Sequence, residues 1–485
     1  MRNLALVGAI LGVGLWSFAA SANDVPVTSA TELTAAIAAA KPGDRIVLAD
    51  GTYALAANVS CDAVGTAQAP IEVVAKTTLG AKITFNALEG FKVNSPYWHF
   101  DGLDVKGICA NDSDCEHAFH VGGAANHFVL RRSRVVDFNA QIKVNANQIN
   151  GKWLTPDDGV VEGNEFYDTK ARNTSNPTTK INIDTGDRFI VRANYIHDYQ
   201  KGGGDGISYA AFMKSGGKGG VFERNLVVCA KDFTGGTRLG LSFGGGGTAA
   251  QFCAPAYDAN TPCDPEHEGG TMRNNVIASC SDVGIYLNKA KNTKLLFNTL
   301  VATGGIDFRY LSSTGVAVGN VLAGKINARD QGTFTGTENL ENFTAFTAIY
   351  QAPLVGDLRK KGDLSALLGK GTARSDVPND YCSRTRTGAW DLGALQASLG
   401  DCVTVPPPLG TPTPDGDAGV SLDASAPPPS DGGPLAPDGG PLDANPAGDD
   451  SGCGCGVAGA RGSLPALGFV FAAVALALSR RRRRA

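Results

Sequence analysis

The chain has 485 residues, of which 19% are charged and 7% aromatic, with 62 glycines and a net charge of −4. No basic block precedes the last few residues, so nothing in the body can neutralise a run of phosphates, and a nucleic-acid-binding role is excluded. Residues 23–402 exceed the usual compact-domain size yet hold no second linker, which favours one elongated repetitive domain over two globular ones.

Residues 1–22 carry Arg2, an apolar stretch from Leu4 to Phe18 and the end Ala20-Ser21-Ala22. This is the pattern of a cleavable secretory signal, too short to span a bilayer, and it predicts a mature chain starting at Asn23. Ser29-Ala-Thr-Glu32 then reads as a capping box that opens an Ala-rich helix reaching Ala40. It is followed by Lys41-Pro-Gly-Asp44-Arg-Ile-Val-Leu-Ala-Asp50-Gly-Thr-Tyr53, a strand-turn phrase.

From about residue 42 to 365 a short phrase recurs, in which β-forming residues lead to Asn or a substitute. It reads Phe-Asp-Gly-Leu103, Leu-Arg-Arg-Ser133, Val-Glu-Gly-Asn164, Val-Arg-Ala-Asn194, Phe-Glu-Arg-Asn225, Met-Arg-Asn-Asn275, Leu-Leu-Phe-Asn298 and Val-Ala-Val-Gly-Asn320. Successive last positions lie 30, 31, 30, 31, 50, 23 and 22 residues apart. Such periods mean a solenoid whose minimal coil is the shortest interval and whose longer coils carry loops. A leucine-rich repeat lacks its framework here, and a propeller needs longer blades. Asparagines at one place on successive coils predict an internal ladder at a tight bend, and the first helix predicts a plug over the first coil. The fold class expected is all-β, a right-handed single-stranded parallel β-helix over 23–402 with an N-terminal capping helix.

Nine of the 11 cysteines lie in this body, and export permits disulfides. Close spacing suggests Cys109 with Cys115, Cys253 with Cys263 and Cys382 with Cys402. Cys229 and Cys280 are either a bridge or stacked buried thiols, and Cys61 is left over. No His/Cys cluster has zinc spacing.

The groove of a β-helix is a stack of outward residues from one sheet. The strands preceding the Asn turns are Lys180-Ile-Asn182-Ile-Asp184, Ala211-Phe-Met-Lys214-Ser215, Thr237-Arg238-Leu239-Gly240-Leu241-Ser242-Phe243, Gly284-Ile-Tyr286-Leu-Asn288 and Ile306-Asp307-Phe-Arg309-Tyr310. Strict alternation exposes Lys180, Asn182, Asp184, Arg238, Tyr286 and Asn288 and buries Leu239, Leu241 and Phe243. It also points Lys214 and Arg309 inward, which is costly for a charge, so a local bulge or strand end is expected to turn both out. These residues form a polar stripe on coils about 4.8 Å apart. Lys180, Asn182, Tyr286, Asn288 and Arg309 are its candidate substrate contacts, with Tyr286 placed to stack on a sugar, while Asp307 and Arg309 read as an ion pair on one coil. The loops at 202–206 and 244–268 flank the stripe and bring His267, between two glutamates, as a candidate acid or base. Asp184, Asp205, Asp264 and Glu266 are the oxygen ligands available to a calcium ion.

The helix, the strand-turn phrase and Ala389-Trp390-Asp391-Leu392-Gly393-Ala394-Leu395 near the end resemble the opening and closing phrases of pectate-lyase-like β-helix proteins, with Leu395 standing where an aromatic residue is usual. Lys214-Ser215 with Arg238 further resembles the Lys-Ser motif and following Arg of polysaccharide lyase family six. That resemblance implies Lys214 as base and Arg238 as acid or charge stabiliser. The acidic calcium ligands of that family are here Ile207 and Tyr209, and its Arg-His-Gly phrase is here Ser242-Phe243-Gly244. The function expected is a polysaccharide lyase that cleaves an acidic polysaccharide by β-elimination, with Lys214, Arg238 and His267 as the catalytic set. A non-catalytic glycan-binding or adhesion module is the rival, and hydrolysis by a carboxylate pair across coils is the third reading.

Residues 403–452 consist mostly of Pro, Gly, Ala, Ser and Asp, with eight aspartates and neither basic nor aromatic residues, and are expected to be a disordered stalk. Residues 453–485 hold Cys453-Gly-Cys455, an apolar run from Leu464 to Leu478 and Arg480 to Arg484. This arrangement resembles the MYXO-CTERM sorting signal, which implies processing near the cysteines and retention at the cell surface. A plain transmembrane anchor is the alternative. The partners expected are a polysaccharide, and a membrane through this tail, for a monomeric chain.

Overall fold

The structure is a computed structural model that describes residues 23–402 except 246; the segments expected to be a secretory signal, a stalk and a sorting tail lie outside the described residues. Among the described residues no helix is long and apolar enough to cross a membrane.

Three sheets of 12, 10 and 10 strands run the length of the body. Each coil visits them in turn: Trp98–Asp101, Asp104–Gly107 and His117–Gly122 make one coil, and Val129–Arg131 opens the next on the first sheet. Each strand pairs in parallel with its equivalent one coil away. The expected right-handed parallel β-helix is therefore what the chain forms. Its interior is continuous: Phe91 packs against Phe85, Phe100 and Phe119 with ring centroids 5.2 to 5.3 Å apart.

The bend between the first and second sheets explains the recurring phrase. The residue before each ladder position adopts a left-handed conformation, with φ of 54° at Ala193, 54° at Arg224 and 53° at Asn274. The following Asn turns its side chain into the bend. Asn194 donates from Nδ2 to the Val161 carbonyl (2.9 Å) and to Asn225 Oδ1 (3.1 Å), and its backbone N–H reaches the same oxygen (3.1 Å). The pattern repeats from Asn164 to Asn320 and continues to Asn339, which the sequence phrase did not include. Every polar group of this buried turn is thereby satisfied within the stack.

The plug helix spans Ala30–Ala38, with Leu33 and Ile37 buried. Ser29 Oγ accepts from the Glu32 N–H (3.2 Å), and Glu32 accepts from the Thr28 N–H (2.7 Å), one residue earlier than a reciprocal capping box. At the other end, residues beyond 340 fold back over the outer face of the second sheet. Phe346, Tyr350, Leu364, Leu367, Leu392 and Leu395 bury Tyr195, Leu226, Val276 and Val301 there. The outer face of the first sheet is occupied by ion pairs between coils, such as Arg131 with Asp101 (2.8 Å) and Arg192 with Glu162 (2.9 Å). The third sheet is left to carry a groove.

Four disulfides join Cys109 to Cys115, Cys229 to Cys280, Cys253 to Cys263 and Cys382 to Cys402, and Cys61 is free and buried.

Candidate functional site

Pairing on the third sheet defines the outward rows directly. One row runs Lys92, His120, Lys143, Asn182, Phe212, Ser242, Tyr286, Asp307 and Asn327. The next runs Asn145, Asp184 and Lys214, and further along Asn288, Arg309 and Arg329. Lys214 and Arg309 therefore lie in outward register, each as the last residue of its strand (Ile207–Lys214 and Gly305–Arg309), and no bulge is needed to turn them out.

The break in alternation lies at the other end of these strands. Pairing runs Thr179 with Tyr209, then resumes at Ile181 with Ala211. The residue between is buried together with its neighbour, as at Lys180 and Ile181 or Ala210 and Ala211. One extra inward residue reverses the phase before it. Leu239 consequently packs with Tyr209, Val283 and Tyr286 outside the main core, not inside it as strict alternation required.

This phase shift removes Lys180 from the groove. It is 0% exposed, and its Nζ donates to Asp168 (2.6 Å) and the Phe138 carbonyl (2.8 Å). The same end of the sheet holds Arg238, which is 1% exposed and donates to the carbonyls of Cys229 (2.6 Å), Phe233 (2.9 Å) and Gly235 (3.0 Å) and to Gln200 Oε1 (2.7 Å). Arg238 pairs with Ser208 while Lys214 sits six residues further on, about 20 Å along the strand. A guanidinium spent on these loop oxygens, and that far away, cannot act with Lys214. His267 is 0% exposed, and its ring stacks on Phe243 at 4.2 Å. Burial pushes its imidazole down to about 3. The catalytic assignments of Arg238 and His267, and the substrate contact at Lys180, are corrected to structural roles.

Lys214 lies in the groove, with its side chain 15% exposed and Nζ 3.1 Å from Asp184 Oδ1. Lys143, whose side chain is 13% exposed, donates to the other oxygen of Asp184 and to Asn182 Oδ1 (3.3 Å). Burial works against ionising Asp184, yet Lys143 and Lys214 together hold its carboxyl well below the usual range. Ser215 Oγ also donates to Asp184 Oδ1 (3.2 Å). Lys214 Nζ rides 5.0 Å from the Phe212 ring centroid, and Phe212 meets Tyr209 edge to face at 5.5 Å. Glu266 lies nearby beneath the loop and accepts from the Gly245 N–H (3.1 Å); burial raises its carboxyl, with Lys214 opposing.

Along the stripe, Tyr286 Oη accepts from Arg309 (3.0 Å) and from Asn288 Nδ2 (3.4 Å). Asp307 and Arg309 do not pair with each other: Asp307 binds Arg329 (2.5 Å) and Arg309 binds Asp330 (2.7 Å), each across to the next coil. The oxygens expected to hold calcium do not fit that role. Asp184 is engaged by two lysines and Ser215, Asp205 pairs with Lys201, and among the described residues no cluster of three potential ligands includes any of the four.

Sequence reasoning missed Lys143 and His120. Both stand in strands with the same alternation, Ala140-Gln-Ile-Lys143-Val-Asn145 and His117-Ala-Phe-His120-Val, and extending the stack two coils earlier would have found them.

Residues 17–215 match the sequence model described as the Pel9A-like right-handed β-helix region. No curated protein matches the chain. Among solved structures, the chain is similar to pectate lyase Pel9A at 14% identity, covering 77% of this chain and 96% of that one with a TM-score of 0.49. It is similar to the alginate lyase AlyF-OU02, solved in complex with G6, at 19% identity over 64% of this chain and 61% of that one (TM-score 0.42). It is also similar to a family six polysaccharide lyase from Pseudopedobacter saltans at 13% identity over 70% and 97% (TM-score 0.36). What these residues build is a right-handed parallel β-helix, in which residues 17–215 match the Pel9A-like β-helix region and the later coils repeat the same three-sheet geometry.

Proposed function

We propose that the chain is a polysaccharide lyase that cleaves an acidic, uronate-bearing polysaccharide by β-elimination in the groove of the third sheet. The observation that carries this reading is the Lys143–Asp184–Lys214 cluster at the centre of the outward rows. Two lysine side chains flank Asp184 and line the groove, where they can bind the carboxylate of a uronate. The second ammonium also lowers the cost of deprotonating its neighbour.

Lys214, acting as the neutral amine, takes the proton from the sugar carbon beside the carboxylate, while Lys143 stabilises the charge that builds on that carboxylate. The electron pair of the broken C–H bond forms the new double bond. The bond to the leaving glycosidic oxygen breaks, and that oxygen takes a proton from solvent. Tyr209 offers partly exposed ring surface for a sugar face and Arg309 a polar contact, while Phe212, Tyr286, Asn182 and Asn288 are buried in the groove floor beneath them. Export through residues 1–22 and surface display through 453–485 belong to the same proposal.

One observation favours the rival, a glycan-binding module. The ion pair with Asp184 at 3.1 Å favours the charged form of Lys214. Incubating the purified chain with alginate, pectate and chondroitin separates the readings. Unsaturated ends that vanish in Lys214→Ala support the lyase, and retention of the polymer without any product leaves a binding module.

A further inference from the structure

We propose that Glu89, His117 and His120 form a binding site for a zinc ion at the N-terminal end of the groove. The register places Glu89 directly opposite His117 on the adjacent coil. His120 sits on the other side of the phase shift and returns to the same outward face. The result is three donors converging from two strands: Glu89 Oε1 lies 2.5 Å from His120 Nδ1 and 3.6 Å from His117 Nδ1, and all the ligand atoms fall within 4.8 Å of one another.

Three features distinguish this group from an ordinary ion pair. His117 Nδ1 is buried and, among the described residues, has no hydrogen-bond partner, because 3.6 Å to Glu89 is too long. His120 Nε2 lies 2.6 Å from Asn145 Oδ1, and a proton held there leaves Nδ1 as a lone pair aimed at Glu89 and His117. Lys92 pairs with the second oxygen of Glu89 at 3.0 Å, which fixes the carboxylate with Oε1 facing the imidazoles. Two imidazoles and one carboxylate suit zinc, and three protein ligands leave a fourth position for water or a substrate carboxylate. Bonds of about 2.0–2.1 Å around a tetrahedral zinc set its ligand atoms about 3.3 Å apart, so binding lengthens the Glu89–His120 contact and slightly shortens that of Glu89 with His117. The other histidine cluster, His197 with Asp198 and Asp232, offers a single imidazole stacked between Tyr167 and Tyr195, and Asp198 already caps the backbone of Lys231 and Asp232. The zinc site is three strands, about 14 Å along the stripe, from Lys214 but only one strand from Lys143, so its test reads the bound metal and not lyase product.

The test is titration of the full-length chain with cobalt(II), read by its visible ligand-field bands, and X-ray absorption of the zinc-loaded chain. The expected result is one equivalent per chain with imidazole and oxygen ligands and no thiolate charge-transfer band. Binding is lost in His117→Ala and in His120→Ala, weakened roughly tenfold in Asn145→Ala, where only ligand orientation changes, and retained in Lys214→Ala and His197→Ala. No bound equivalent in the wild type, sulfur ligation, or an equivalent that survives both His117→Ala and His120→Ala overturns the proposal. The absorption spectrum needs no variant, so it decides even where a substitution disturbs folding.

Discussion

At the scale of single residues, the groove depends on which charges face out and which are locked inside. Lys214→Ala is expected to lower the rate of unsaturated-end formation by about 10²–10⁴-fold, the usual contribution of a positioned base. Lys143→Ala, which removes charge stabilisation but not the base, should lower kcat while leaving a residual rate. Lys180 behaves differently because it is buried against Asp168. Lys180→Ala leaves that carboxylate alone in the interior and should destabilise the fold by roughly 3–5 kcal/mol, whereas Lys180→Met with Asp168→Leu should be close to neutral. Chemical denaturation of the two variants distinguishes them. His267 predicts a pH effect. Its folded value of about 3 lies below the usual 6.5, so only the unfolded chain takes up its proton as acid is added. The stability it contributes is complete above about pH 6.5 and is lost progressively as pH falls toward the folded value, at up to about 1.4 kcal/mol per pH unit. His267→Phe should flatten melting temperature against pH between about 6.5 and 4; an unchanged slope would show that another group sets it.

At the scale of elements, the ladder and the phase shift carry the most information. Asn225 Oδ1 accepts two donors of Asn194, and its Nδ2 donates to the Val191 carbonyl and to Asn275. Asn225→Ala strands a buried N–H and a buried carbonyl and should cost on the order of 2–4 kcal/mol in a thermal or denaturant melt. This element was legible in the sequence, because the bend repeats a left-handed residue followed by Asn at near-constant spacing. The plug helix was legible for the same local reason, a cap followed by an apolar spacing that buries Leu33 and Ile37. The groove strands were legible only in part. Period-2 alternation identified Asn182, Asp184, Tyr286 and Asn288 as outward, but a single inserted inward residue per strand is invisible to it. That insertion sent Lys180 inside and Leu239 outside, whereas Lys214 and Arg309 point outward by plain alternation with Met213, Ile306 and Phe308, which lie in the core. Arg238 and His267 failed for another reason: their partners are loop carbonyls and a ring from neighbouring coils, which no local pattern encodes.

At the scale of the whole molecule, the three faces of the solenoid have different fates. Ion pairs between coils occupy the first, the returning segment beyond residue 340 covers the second, and the third carries two outward rows in which Lys143, Asp184, Lys214 and Arg309 reach solvent. This division follows from side-chain chemistry along each sheet. Alternating Arg and Glu on the first satisfy one another, apolar residues on the second require a cover, and lysines with aromatic rings on the third suit an anionic chain of sugars. Removing the cover should therefore unfold or aggregate the body without touching the groove residues, while substitutions in the groove should spare stability. The most direct measurement is the ultraviolet absorbance of unsaturated uronate ends released from alginate, pectate or chondroitin by the full-length chain and by Lys214→Ala. Release by the wild type and its loss in a folded Lys214→Ala chain is the predicted result. Equal release by both chains, or new reducing ends without unsaturation, would contradict it.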